Sequence, residues 1–165
     1  MNEKLLQNIK ENQNTRENAA SEEEKSQSNW LIFKAAEETY AIESSSVKEL
    51  LRNNEIFPVP FVPSYIKGVL NCYGEPYAVI DLARFLSPAE QNTRLFMIIN
   101  SEDAISLQIT DIVEFQNDND AEIQKVKAAP GTGFFTGAIT FDGQSIPVIS
   151  IEGITSKIRT DLGNS

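Results

Sequence analysis

The chain has 165 residues, 41% hydrophobic and 23% charged, which suits a soluble globular protein of one domain or two small subdomains. Its net charge of -10 argues against nucleic-acid binding, which needs a basic face, and against docking on an anionic membrane surface. Histidine is absent and Cys72 is the one cysteine, which excludes Ser-His-Asp and Cys-His catalysis, histidine metal sites and an internal disulfide framework.

In chain order, residues 1–28 are rich in Asn, Gln, Glu, Ser and Lys and carry too little apolar surface for a core; they read as a disordered or weakly helical leader. No signal-peptide pattern and no membrane-length apolar run appears, so a cytoplasmic protein is expected. Trp30–Phe33 reads as a strand, Glu37-Glu38 as a turn and Tyr40–Ile42 as the returning strand. Ser44, Ser45 and Ser46 are candidate N-caps for a helical turn over Val47–Leu51, a stretch that also suits an extended form. The three prolines in Ile56–Pro63 forbid a helix or a central strand there. Tyr65–Leu82 reads as a β-hairpin turning at Gly74, Glu75 and Pro76, and Leu82–Leu86 as one helical turn. Leu95–Ile99, Ala104–Ile109 and Ile112–Phe115 are further strands. Residues 116–122 read as a polar loop and 124–129 as extended chain. A second hairpin starts at Phe134, and Ile151–Lys157 closes as a helical turn.

The two halves repeat each other. Placing Gly68 on Gly137 brings Gly74 onto Gly143, Ile80 onto Ile149 and Leu82 onto Ile151. Placing Phe33 on Ile98 brings Tyr40 onto Ile105, Ile42 onto Leu107, Val47 onto Ile112 and Glu49 onto Glu114. A unit of about 60 residues buries too little surface to stand alone, so the halves should share an interface, and two small closed sheets would hide their edges. The expected architecture is mainly β: two small barrels that share an interface. The subdomains are expected at residues 30–90 and 91–157, with 158–165 a flexible tail.

Nothing in the sequence assembles an enzyme. Gly131-Thr-Gly133 lacks a phosphate-loop context and reads as a turn. Asp118-Asn-Asp120 with Glu122 begins like a calcium loop, but position 129 is Ala where a bidentate Glu would stand. Cys72 has no histidine to activate it, and Lys67 is a covalent nucleophile only if desolvated. The acidic pairs Glu37-Glu38 and Glu102-Asp103 fall in equivalent turns, which suits solvated tips. No cofactor and no metal is expected.

Over residues 29–157 the chain resembles the CheW family of chemotaxis coupling proteins. The resemblance lies in Leu31–Phe33, Tyr40–Ile42, Val47–Leu50, Pro63–Asn71 with Gly74 and Ile80-Asp81-Leu82, and in Phe135–Gly137, Pro147-Val148 and Ile151. It implies a non-enzymatic adaptor, mainly β, of two five-stranded SH3-like barrels packed on a shared hydrophobic seam. It also implies as partners the regulatory domain of a CheA-type histidine kinase, the cytoplasmic tip of a chemoreceptor and other CheW-like domains. The location it implies is the cytoplasm, in receptor arrays at the inner face of the membrane. By position, Val47, Glu49, Tyr73 and Lys127 match partner-contact regions, while Gly68, Gly74, Gly137 and Gly143 read as backbone requirements. The family's hairpin usually reads N-L-R-G, and here it is Asn71-Cys72-Tyr73-Gly74. Tyr offers one hydroxyl where Arg offers a five-donor fork. That departure keeps open a divergent scaffold of a pilus or other motility pathway that binds one of these partners. A barrel binding a small apolar ligand is the other alternative, and it requires a hollow interior.

Overall fold

The computed structural model describes residues 30–117 and 133–163. Ten strands and two helices lie in these segments. They are β1 (Trp30–Ala35), β2 (Glu38–Glu43), β3 (Val47–Arg52), β4 (Ile66–Cys72), β5 (Glu75–Asp81), α1 (Leu82–Leu86), β6 (Leu95–Ile99), β7 (Ile105–Ile109), β8 (Asp111–Gln116), β9 (Phe135–Phe141), β10 (Gln144–Ile149) and α2 (Ile151–Asp161). Sheet I has the order β8-β1-β2-β10-β9 and sheet II the order β3-β6-β7-β5-β4.

Three cores explain the apolar pattern. Sheet I encloses one that includes Trp30, Ile32 and Val148, and sheet II one that includes Leu70, Val79, Phe96 and Ile98. The largest lies between the sheets and includes Leu31, Phe33, Met97, Ile99 and Leu107. β1 and β6 feed a sheet core with one face and the seam with the other. Their runs are therefore apolar at nearly every position instead of alternating, and Lys34 is the one exposed residue in the two strands.

The expected division at residues 90/91 does not separate the sheets. Sheet I combines β1 and β2 with β8, β9 and β10, and sheet II combines β6 and β7 with β3, β4 and β5. Each repeat lends its first hairpin to the other repeat's sheet. The crossing is made after β2 by the 3-10 turn Ser44–Ser46, held by the Asn100 N–H donating to the Ser46 carbonyl at 2.8 Å. Exchanging each strand for its repeat converts the order of sheet I into that of sheet II, so the molecule has internal pseudo-twofold symmetry.

The symmetry extends to irregularities. Lys48 is unmatched between Val47↔Ile99 and Glu49↔Ile98, as Val113 is between Phe33↔Ile112 and Ile32↔Glu114. Lys67 and Thr136 are the corresponding bulges of the two later hairpins. These ladders correct one alignment: Phe33 corresponds to Ile99, not Ile98. Phe33 and Ile99 face the seam, whereas Ile98 faces the core of sheet II. A slip of one residue reverses the face, and an all-apolar strand has no alternation to reveal it.

Both later hairpins turn through two residues of positive φ, Tyr73 (51°) with Gly74 (84°) and Asp142 (50°) with Gly143 (74°). This is the type I′ hand that suits strand twist. Glu75 and Pro76, expected in the turn, belong to β5. Val47–Leu51, left open between helix and strand, is extended as part of β3. Both helices are capped at corresponding places. The Arg84 N–H donates to Asp81 Oδ1 at 3.2 Å, and the Gly153 N–H donates to Ser150 Oγ at 3.1 Å. The tail expected at 158–165 is ordered through Asp161. Ile158 is buried in the seam, Arg159 pairs with Asp103, and the Tyr65 hydroxyl donates to Asp161 Oδ2 at 2.6 Å. Gln116, expected in the polar loop, is the last residue of β8, paired with Trp30, and only Asn117 follows; the rest of the expected loop and extended stretch, with the Asp118–Glu122 motif, lies outside the described residues.

Candidate protein-interaction surface

Four residues were expected to contact partners, and two of them meet. Glu49 stands on β3 and Tyr73 at the tip of the β4–β5 hairpin, at opposite edges of sheet II. The Tyr73 hydroxyl donates to Glu49 Oε1 at 2.9 Å, while the Cys72 thiol lies 3.9 Å from Glu49 Oε2. Nearby, Lys48 Nζ donates to the Tyr77 hydroxyl at 3.5 Å, and that hydroxyl donates to Glu75 Oε2 at 3.2 Å. Side chains, not a β-ladder, thus draw together the edges of the sheet.

Local sequence explains the placement. The bulge at Lys48 lets Val47 point into the seam while Glu49 remains at the edge. Val47 is therefore core, 4% exposed, and does not offer its side chain to a partner. Gly74 supplies the second positive φ of the turn, which carries Tyr73 outward until it is 87% exposed. Lys127 lies outside the described residues.

The electrostatics favour contact over catalysis. Donation to Glu49, reinforced by its charge, pushes the Tyr73 phenol above its ordinary pKa. Burial first, then Glu49, pushes the Cys72 thiol up, which keeps it protonated and a poor nucleophile. The Tyr77 hydroxyl raises Lys48.

Gly68 fixes the neighbouring surface. Its φ is 142°, and a Cβ there would overlap the Phe57 carbonyl. That closeness lets Phe57 and Val69 exchange backbone hydrogen bonds of 2.8 and 2.9 Å, covering the outer edge of β4. The same strap leaves Phe57, Val59 and Phe61 exposed, Phe61 completely and with φ of 60°. Sequence reasoning missed this apolar ridge, although the alternation Phe57-Pro58-Val59-Pro60-Phe61 was its signal: prolines that bar a central strand leave the intervening side chains unpaired. Gly137 occupies the place of Gly68 in the second hairpin, opposite Val148 as Gly68 is opposite Val79.

Large side chains fill the interiors of both sheets, which is what barrels of this size ordinarily do. A groove of about 550 Å³ lies instead beside α2, lined by Phe134, Glu152, Ser156 and Lys157 among others. No described helix is long and apolar enough to cross a membrane.

Comparison with known proteins bears on the whole of this arrangement. The model of the CheW-like domain family matches residues 29–159. Chemotaxis protein CheW of Treponema pallidum (strain Nichols) is 31% identical over 81 residues, covering 45% of this chain and 48% of that protein. Protein FrzA of Myxococcus xanthus is 38% identical over 72 residues, covering 41% and 45% respectively. The matched stretches span a little under half the length of these curated relatives. The crystal structure of scaffolding protein TtCheW from Thermoanaerobacter tengcongensis superposes with a TM-score of 0.60 over 75% of this chain and 89% of that one. At 23% identity it shows the shared fold.

Proposed function

We propose that this chain, which belongs to the CheW-like domain family, is a non-enzymatic adaptor that couples a chemoreceptor tip to the regulatory domain of a CheA-type histidine kinase. It would act in the cytoplasm, held at the inner face of the membrane by its partners. The observation that carries the reading is the meeting of Glu49 and Tyr73, 24 residues apart in sequence, on the exposed edge of sheet II. An exposed aromatic ring beside a carboxylate suits recognition of another protein: the ring supplies contact area and the acid supplies direction.

The substitution in the hairpin favours a second reading, a divergent scaffold of a pilus or other motility pathway that binds one of the two partners. Tyr73 stands where the family usually has arginine, and its hydroxyl already occupies Glu49. A bidentate contact from this position to a partner carboxylate cannot be made.

Titration of the purified full chain against the cognate kinase regulatory domain and, separately, a receptor-tip fragment tests both readings. Binding to both supports coupling, binding to one selects the divergent scaffold, and binding to neither overturns both.

A further inference from the structure

We infer that a second copy of this chain is a partner built into the fold: two copies can complete each other's sheets by exchanging halves, and buried Gln91 is the latch that favours closure of one copy on itself. This rests on the strand topology alone and not on the proposed coupling role.

Four of the eight strand pairings, β1–β8, β2–β10, β3–β6 and β5–β7, join residues 30–86 to residues 95–161. Neither half completes a sheet without the other. Separated, each would expose its seam, including Phe33 on one side and Met97 on the other, both fully buried in the closed chain. The hydrophobic effect would drive each exposed half onto a complement. The complementary half of a second copy offers the same ladders, registers and bulges, so the cost of exchange is confined to the linker Ser87–Arg94. Extended, those residues reach about 3.3–3.6 Å each, enough to part the halves by roughly the width of a small domain.

Several contacts hold the linker: the Thr93 hydroxyl donates to the Ile109 carbonyl, Gln108 Nε2 to the Thr93 carbonyl and the Asn53 N–H to the Arg94 carbonyl, and Gln91 is the linker side chain buried among them. Gln91 is 8% exposed, and its Nε2 donates to Asp81 Oδ1 and to the Gln108 carbonyl, each at 2.7 Å. Its Oε1 accepts from Thr110 Oγ1 at 2.7 Å. It thus ties Asp81 of the first half to Gln108 and Thr110 of the second. Beside it, Asp81 Oδ2 and Gln108 Oε1 are buried without a hydrogen-bond partner among the described residues, Lys67 Nζ standing 3.7 Å from the former. Gln91 thus supplies donors at a place already short of them, and withdrawing it costs closure of the single chain two buried hydrogen bonds.

The test is refolding of the full chain from denaturant over a range of concentrations, with mass measured by light scattering after size separation. A dimer fraction should grow with refolding concentration and persist on dilution. Gln91→Ala should raise the dimer association constant by about 25-fold or more, about fivefold for the net loss of even one hydrogen bond in each of two chains. The register partners Lys34 and Asp111, both exposed, report the topology. In Lys34→Cys/Asp111→Cys the disulfide should lie within the chain in the monomer and between chains in the dimer. Absence of dimer in wild type and in Gln91→Ala, or a dimer whose disulfides stay within chains, overturns the proposal. Should Gln91→Ala not fold, the wild-type series and the double-cysteine chain decide it.

Discussion

Tyr73, at the tip of the β4–β5 hairpin, donates to Glu49 of β3 at 2.9 Å, and Tyr73 does so from a positive φ of 51°. A bulky residue in the left-handed region is disfavoured, and the hairpin tip is where Asn or Asp ordinarily stands before Gly. The equivalent turn of the second repeat follows that rule with Asp142-Gly143. The first repeat thus departs from local preference at a highly exposed position, a place where departure is expected to serve contact with other molecules.

Tyr73→Asn separates the two demands. It creates the Asn-Gly pair favoured in a type I′ turn, so the melting temperature should rise by about 2–4 °C. Affinity for whichever partner uses this edge should fall, because the aromatic surface is lost. A thermal melt beside a binding titration checks it. A variant that is more stable and binds unchanged would place the partner surface elsewhere.

Tyr73→Arg asks which partner that is. It restores the residue usual in the family, and its guanidinium can pair with Glu49 or with an incoming carboxylate. Tighter binding to the kinase domain or to the receptor fragment is expected. Equal affinity of wild type and variant for both would remove position 73 from the interface.

Gly68→Ala and Gly74→Ala should differ in severity for a reason visible in their surroundings. Both glycines have positive φ, but a Cβ at Gly74 meets nothing within 4 Å among the described residues, whereas one at Gly68 overlaps the Phe57 backbone. Gly74→Ala should cost about 1 kcal/mol for backbone strain alone. Gly68→Ala must also push the strap from the β4 edge and should cost about 2–4 kcal/mol. Urea denaturation measures both, and equal losses would mean that the strap yields freely.

The strands and both later hairpins were legible because turn glycines and β-branched runs act locally. The interleaving of the sheets was not. A hairpin with one seam-facing side satisfies the same alternation whether it pairs within its own repeat or crosses to the other, so the pattern does not say which. The Phe33–Ile98 misalignment has a similar cause, since Leu95–Ile99 is apolar throughout. Glu49 and Tyr73 were each marked by position, yet their contact depends on how sheet II curls. Val47 lay on an apolar pattern that suited core and contact alike, and burial resolves it as core. The role of Gln91 had no signal, because a lone glutamine in a polar linker is ordinarily solvated.

Interleaving predicts cooperativity. Phe96 is fully buried in the core of sheet II, while Trp30, the one tryptophan, reports from sheet I. Phe96→Ala should cost about 3–5 kcal/mol. Because each sheet contains strands of both repeats, Trp30 fluorescence and far-UV circular dichroism should shift together to one lower midpoint. A Trp30 transition left at the wild-type midpoint would mean that the sheets unfold separately.

The junction of Tyr65 with α2 sets a pH dependence with two limbs. Donation from Tyr65, then that from Lys157, holds the Asp161 carboxyl below its ordinary range. Burial first, then the bond to Asp161, raises the Tyr65 phenol well above its ordinary value. A carboxyl depressed by folding contributes stability above its unfolded pKa of about 3.9 and loses it as pH falls through the folded value. A phenol raised by folding contributes below its unfolded pKa of about 10, and that contribution is lost as pH rises beyond it. Stability from this pair should therefore be level between about pH 5 and 9 and decline on both sides. Tyr65→Phe removes the alkaline decline due to this residue and makes the acid decline shallower, leaving the share that Lys157 provides. Melting temperatures from pH 3 to 11 for both chains check the assignment. Parallel profiles for Tyr65→Phe and wild type would show that the hydroxyl–carboxylate bond does not govern either limb.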